Sequence, residues 1–239
     1  MRLDDWLVEN GHAADKKKAE ALILSGSVLV NDLVITHCGF QIKKNFNIRL
    51  KKQRKYVSRS AEKLKTVLEK WNFQTKNKTF IDIGASTGGF TDVLLNKGAA
   101  KVIALDVAYG FLHPKLRNDK RVTVIERKNI RQVKKEDLPF MPDYFTVDVS
   151  FISIQKVIHS LKKLQSVWQG IVLLKPQFEA DKNALSKGIV KDKTEREKIV
   201  NDFLDFLKNE KIVCLNFDES AVKGTKGNIE YLVHIKWKS

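Results

Sequence analysis

Apolar positions recur along this chain with more than one period, and the changes of period predict its elements. Leu3, Trp6 and Leu7, then Ala19, Leu22 and Ile23, fall at helical spacing, and Gly11 and Gly26 stop the two helices. Asp15 stands at the N-cap position of the second. Val28-Leu29-Val30 and Leu33-Val34-Ile35 flank the turn-forming pair Asn31-Asp32 and predict a hairpin. Ala61, Leu64, Val67, Leu68 and Trp71 form one apolar stripe on a helix capped by Ser58 or Ser60, with Lys63 off the stripe. Short apolar runs follow, at Phe80 to Ile83, Lys101 to Val107, Val122 to Ile125, Tyr144 to Val147 and Gly170 to Leu174, the pattern of strands buried on both faces. Between them lie helical segments from Phe90 to Gly98 and through Val157, Ile158, Leu161 and Leu164. Thr194-Glu195-Arg196-Glu197 reads as a capping box opening a further helix. Ile212 to Asp218 and Ile229 to Trp237 end the chain as an antiparallel pair. The expected fold is α/β, a Rossmann-like and mostly parallel sheet with an antiparallel last strand, preceded by a small α+β domain.

Charge places the boundary between the two. From Lys43 to Lys65 there are ten basic residues and one acid, Glu62, and Lys51-Lys52-Gln53-Arg54-Lys55 has little to bury. Residues 1–51 are therefore expected to form one domain, 52–57 a basic linker and 58–239 the second domain. The whole chain carries a formal charge of +16, from 44 Lys and Arg against 28 Asp and Glu. That balance points to a polyanion, most often nucleic acid. Arg2, Lys16, Lys17, Lys18, Lys51, Lys52, Arg54, Lys55 and Arg59 are the expected RNA contacts. Three lysines at a helix start oppose the macrodipole, which makes more sense if they meet phosphates, although a solvated helix end explains any one of them nearly as well. No apolar run approaches the roughly 20 residues of a membrane span, and acids come too early for a signal peptide. Cys38 and Cys214 form neither a disulfide framework nor a zinc motif. A reducing, cytoplasmic protein is expected, monomeric, without metal and not inserted in a membrane.

The stretch Thr79 to Asp92, Thr-Phe-Ile-Asp-Ile-Gly-Ala-Ser-Thr-Gly-Gly-Phe-Thr-Asp, is a strand, a glycine turn and a helix start. In a parallel sheet that order makes a ligand cradle. Ser86 stands where a dinucleotide fingerprint has its second glycine, and no Lys-Ser or Lys-Thr makes it a P-loop. Asp82 would repel a diphosphate and attract a cation. Asp106, ending the next strand, is placed to bind ribose hydroxyls. A ribose, an amine and no phosphate fit S-adenosylmethionine. The expected cofactor contacts are Asp82, Gly84, Ser86, Gly88, Gly89, Phe90, Asp106, Asn129 and Asp148; the alternative is an ordinary glycine-rich turn without a ligand. Two further charges, Asp148 and Lys175, end apolar strands and are expected to pair, either as a structural ion pair or in the ligand crevice.

Two resemblances follow from these motifs. Arg2-Leu3-Asp4, Leu22 to Asn31 and Gly39-Phe40-Gln41-Ile42 resemble the RNA-binding domain named after the fourth small-subunit ribosomal protein, with Asp15-Lys16 where that domain often has Ser-Arg. The cradle, Ser58-Arg59 with Lys63-Leu64, Asp148 to Ser153, Lys175-Pro176-Gln177-Phe178-Glu179, Lys187 to Asp192 and Gly227-Asn228-Ile229-Glu230-Tyr231 resemble the TlyA family, which joins such a domain to an FtsJ-type methyltransferase. Ser60 and Ala221 depart from a glycine and a proline usual there. The resemblance implies a class I methyltransferase sheet and methyl transfer from S-adenosylmethionine to the 2′-hydroxyl of cytidine in ribosomal RNA. It also implies a catalytic tetrad on Lys63, Asp148, Lys175 and Glu230. Lys175 would lie nearest the hydroxyl, either as a neutral base or as a charged steering group. Glu230 would hold Lys63 or the ribose. An RNA-binding protein with a pocket but little catalysis, a dinucleotide oxidoreductase and the membrane activity suggested by the family's hemolysin label are the competing readings.

Overall fold

The computed structural model describes residues 1–51 and 56–238. The chain divides into two compact units, Met1–Lys55 and Tyr56–Ser239. In the first, α1 (Leu3–Glu9) and α2 (Lys16–Leu24) precede β1 (Val28–Val30), β2 (Leu33–Ile35) and β3 (Ile48–Leu50). Asp15 caps α2 by accepting from the Lys18 N–H at 2.8 Å. Asn31 and Asp32 take φ of 49° and 66°, the left-handed pair a tight hairpin needs. The sheet order is β2-β1-β3, all antiparallel, so the unit has a third strand inside the basic stretch. Sequence patterning missed it because Ile48-Arg49-Leu50 is short and flanked by charge. Leu3, Leu7, Ala19, Ile23, Val28 and Val30 form its core.

The second unit opens with α3 (Ser60–Lys70), then β4 (Thr79–Ile83), α4 (Gly89–Asn96), β5 (Lys101–Leu105), α5 (Pro114–Arg117) and β6 (Val122–Ile125). After two short 3-10 turns come β7 (Tyr144–Val147), α6 (Ile154–Leu164), β8 (Trp168–Leu174), α7 (Pro176–Glu179), α8 (Lys193–Asn209), β9 (Val213–Glu219) and β10 (Tyr231–Trp237). The sheet has seven strands in the order β6-β5-β4-β7-β8-β10-β9, parallel except that β10 runs against both neighbours. The chain runs from β4 outward to β6 and returns to β7 on the other side of β4. That reversal opens a crevice at the carboxyl ends of β4, β5 and β7.

Period-two alternation buries both faces. Ile81, Ile83, Ile103, Leu105, Phe145 and Val147 pack with α6 and α8, while Phe80, Val102 and Ala104 pack with α3 and α4. Two helix starts differ from expectation. Asp192, not Thr194, caps α8, accepting from Thr194 and Glu195 N–H groups. Neither Ser58 nor Ser60 caps α3; Arg59 holds that position without a side-chain bond, because the two serine hydroxyls bond each other at 2.7 Å.

Candidate active site

Residues just past the strand ends face the crevice, and those within strands do not. Asp148 follows β7 and Lys175 follows β8, and neighbouring parallel strands bring the Lys175 Nζ to 2.6 Å from the Asp148 Oδ1. Glu230 precedes β10, beside β8, and its Oε2 lies 2.5 Å from the Lys63 Nζ. Lys63 is 8% exposed and Glu230 2%. Lys63 is thus no surface lysine. It leaves the apolar stripe of α3 to reach a carboxylate 167 residues away, and Ser60 does not prevent that reach. The other Glu230 oxygen accepts from the Gln177 Nε2 at 2.9 Å. Gly224 lies so close that a Cβ there would sit 2.0 Å from Glu230. All four charged residues line a cavity of about 300 Å³, together with Arg59, Ser150 and the loop Val222–Thr225.

A larger cavity of about 750 Å³ adjoins it, and the two share Gly84, Ser86, Asp148 and Ser150. Asp106 and Asn129 line the larger one. Asp106 accepts from the Ser86 and Ala108 N–H groups at 2.7 and 2.8 Å, which fixes its carboxylate while each oxygen keeps a lone pair. At Gly84, φ is +80° and a Cβ would meet the Asp148 carbonyl oxygen at 2.5 Å, so only glycine fits.

Three expected cofactor contacts lie elsewhere. Asp82 sits inside β4, on the face toward α4, and is fully buried. Its carboxylate accepts from the Thr91 N–H and hydroxyl and from the Thr146 hydroxyl, at 2.7–2.9 Å. Burial pushes it up to about 6, against the pull of those bonds. It braces the cradle from beneath rather than facing a ligand. Gly88 and Gly89 make room for protein, not ligand: a Cβ would strike Leu116 at 2.2 Å or the Ser60 and Ser58 hydroxyls at 2.1 and 2.2 Å. Phe90 lines the smaller cavity, though it is only 2% exposed.

The expected RNA contacts also divide. Lys17, Lys18, Lys51 and Arg59 are exposed. Arg2 donates to both Asp4 oxygens at 3.0 and 2.6 Å, and Lys16 to Asp5 at 2.8 Å, so both cations already have acidic partners. Arg2 holds the Asp4 carboxyl down to about 2. Lys52, Arg54 and Lys55 lie outside the described residues. Sequence reasoning gave no role to Ser150, Gln177, Gly224 or Phe151. Phe151 is 91% exposed at φ +64°, lines the larger cavity and rests on Phe178 at 5.0 Å between ring centroids. A bulky side chain held in the left-handed region marks a site worth functional attention. Among the described residues no group of three or more His, Cys, Asp or Glu is disposed to hold a metal, and no helix is long and apolar enough to cross a membrane.

A Rossmann-like sheet with this strand order, a non-dinucleotide cradle and two lysine–carboxylate pairs lining one cavity beside it defines a methyltransferase-type enzyme. Comparison with known proteins agrees: residues 56–237 match the FtsJ-like methyltransferase model. The chain is 43% identical to hemolysin A of Brachyspira hyodysenteriae, covering 98% of this chain and 99% of that one. It is 35% identical to the 16S/23S rRNA (cytidine-2′-O)-methyltransferase TlyA of Mycobacterium tuberculosis, covering 98% and 89%. A solved structure of a candidate hemolysin from Streptococcus thermophilus superimposes with a TM-score of 0.76 at 34% identity, covering 100% of this chain and 89% of that one. The chain belongs to the FtsJ-like methyltransferase family, in its TlyA branch.

Proposed function

We propose that the protein transfers a methyl group from S-adenosylmethionine to the 2′-hydroxyl of cytidine in ribosomal RNA, within ribosomal subunits, as a cytoplasmic monomer. The observation that carries this is the joining of two chambers at Gly84, Ser86, Asp148 and Ser150, one bearing the Asp106 carboxylate and the other both lysine–carboxylate pairs. The larger chamber fits the donor. Asp106 offers lone pairs to ribose hydroxyls, Asn129 lies beside it, and the Asp148 carboxylate reaches the shared wall where a sulfonium is favoured. When bound, the donor supplies an electrophilic methyl whose leaving group departs as a neutral thioether.

The chain's own residues then have three tasks. Lys175, paired with Asp148, holds the ribose oxygen and stabilises negative charge as its proton leaves for solvent. Lys63, fixed by Glu230, which Gln177 holds in turn, lines the nucleotide chamber with it. Arg59 at the rim and the exposed cations Lys17, Lys18 and Lys51 meet phosphates, and Phe151 offers a base a stacking face. The N-terminal unit serves as the RNA-binding domain its motifs resemble.

Incubation with tritiated S-adenosylmethionine and unmodified ribosomal subunits tests this. Label is expected in the RNA with the native chain. With Lys175→Ala transfer is expected to collapse to a small residual rate, although calorimetry still shows the donor bound. Full transfer by that variant would refute the role given to Lys175, and no donor heat with the folded native chain would refute the reading.

A further inference from the structure

The wall between the two chambers contains one hydroxyl that touches the Lys175 head. Of the residues common to both cavities, Gly84 has no side chain, Asp148 pairs with Lys175 as a carboxylate, and Ser86 bonds Asp106 through its backbone N–H rather than through its hydroxyl. Ser150 remains, and the Lys175 Nζ donates to its Oγ at 3.1 Å. We propose that Ser150 is a further positioning residue for methyl transfer, fixing the Lys175 ammonium at the passage between donor and nucleotide chambers; this rests on the transfer reaction proposed above.

The physical case starts from lysine itself. Its head is a point charge on a flexible stem, and a contact to one carboxylate oxygen leaves it free to swing around that oxygen. The Asp148 Oδ1 at 2.6 Å and the Ser150 Oγ at 3.1 Å give two fixed points on different atoms, which define a direction. An ammonium has three N–H donors and no acceptor. The Ser150 Oγ takes one of them while the Asp148 carboxylate holds the head by charge, so an N–H is left for the ribose oxygen. Because Lys175 can only donate, Ser150 must accept, and its own O–H is not spent on the lysine. A hydroxyl that accepts from a cation is also a better donor.

The backbone presents this serine deliberately. The chain turns at Phe151, at φ +64°, and the far end of the loop is held where the Ile154 N–H donates to the Glu179 Oε1 at 2.7 Å. Glu179 ends α7, which begins directly after Lys175, so one short element holds both the lysine and the loop that meets it. Ser150 itself is exposed, so its replacement disturbs no packing.

The test compares the native chain, Ser150→Ala, Ser150→Thr, Lys175→Ala and the Ala/Ala double variant. It measures methyl transfer to unmodified ribosomal subunits and, separately, S-adenosylmethionine binding by calorimetry. Ser150→Ala is expected to lower kcat roughly ten- to a hundredfold with KM and donor Kd within about twofold. Ser150→Thr is expected to keep kcat within about threefold. The double variant should be no slower than Lys175→Ala, since a residue acting through Lys175 has nothing left to position. Wild-type kcat in Ser150→Ala, a loss confined to donor binding, a threonine variant as slow as alanine, or losses that multiply in the double variant would each overturn the proposal. A native chain that binds the donor and transfers nothing would instead overturn the underlying reading, and this inference with it.

Discussion

In the N-terminal unit Lys16 reaches across the surface to Asp5, with side chains 52% and 40% exposed. In the C-terminal unit the side chains of Lys63 and Lys175 are each 10% exposed and close on Glu230 and Asp148. The bond lengths are similar, and the energetics are not. Exposed pairs contribute about 0–1 kcal/mol and arrange a surface. A buried pair gains little net stability, because desolvation offsets attraction, yet losing one partner strands a charge. Two such pairs beside one cavity are poorly explained as stability devices and well explained as chemistry.

The comparison can be broken most forcefully at Lys63. Lys63→Ala is expected to lower methyl transfer about 10²-fold or more and, by stranding Glu230, to cost about 3 kcal/mol of stability. Restored stability without restored activity in Lys63→Ala/Glu230→Gln, read by urea unfolding beside a transfer assay, would separate the two effects. Gly224→Ala should act indirectly. Its new methyl meets Glu230, and roughly a tenfold loss of kcat is expected with donor binding unchanged.

Asp82 supplies a pH test. Its folded value of about 6 lies above the ordinary 3.8, so the folded state holds the proton more tightly than the unfolded one. Its contribution to stability is therefore most favourable below about pH 4 and is lost as pH rises through 6, on the order of 3 kcal/mol. Asp82→Asn should remove that slope from urea midpoints measured between pH 4 and 7; an unchanged slope would exclude Asp82 as its source. Asp4, held near 2 by Arg2, has the opposite sign. Its stabilising contribution is present above about pH 4 and fades as pH falls toward 2. The smallest effects belong to the surface cations. Lys17→Ala should weaken RNA binding and reduce the salt slope by about one, whereas Lys16→Ala, already engaged by Asp5, should change that slope less.

Much of the candidate site's geometry was legible because strand ends announce themselves. Asp148 and Lys175 stop apolar runs, and the sheet topology makes their ends neighbours, so their pairing follows from sequence. Glu230 and Lys63 were reachable only by resemblance. Their partnership spans 167 residues, and no local period places a helix lysine against a residue before the last strand. Asp82 reads like a residue of the turn but lies inside β4, short of the strand end, so its carboxylate meets the α4 face instead of the crevice. Gly88 and Gly89 show that a glycine needed for packing reads the same as one needed for a ligand. Ser150 and Gln177 carry no signal in their own spacing. Their roles appear only once the lysine and glutamate heads they touch have positions.

The most direct test of the central claim is where the methyl group lands. After reaction of the native chain with labelled S-adenosylmethionine and unmodified ribosomal subunits, the RNA is digested to nucleosides and resolved by mass spectrometry. The account expects 2′-O-methylcytidine to carry the label. Label on a base carbon or nitrogen, or donor bound with no labelled nucleoside, would contradict it.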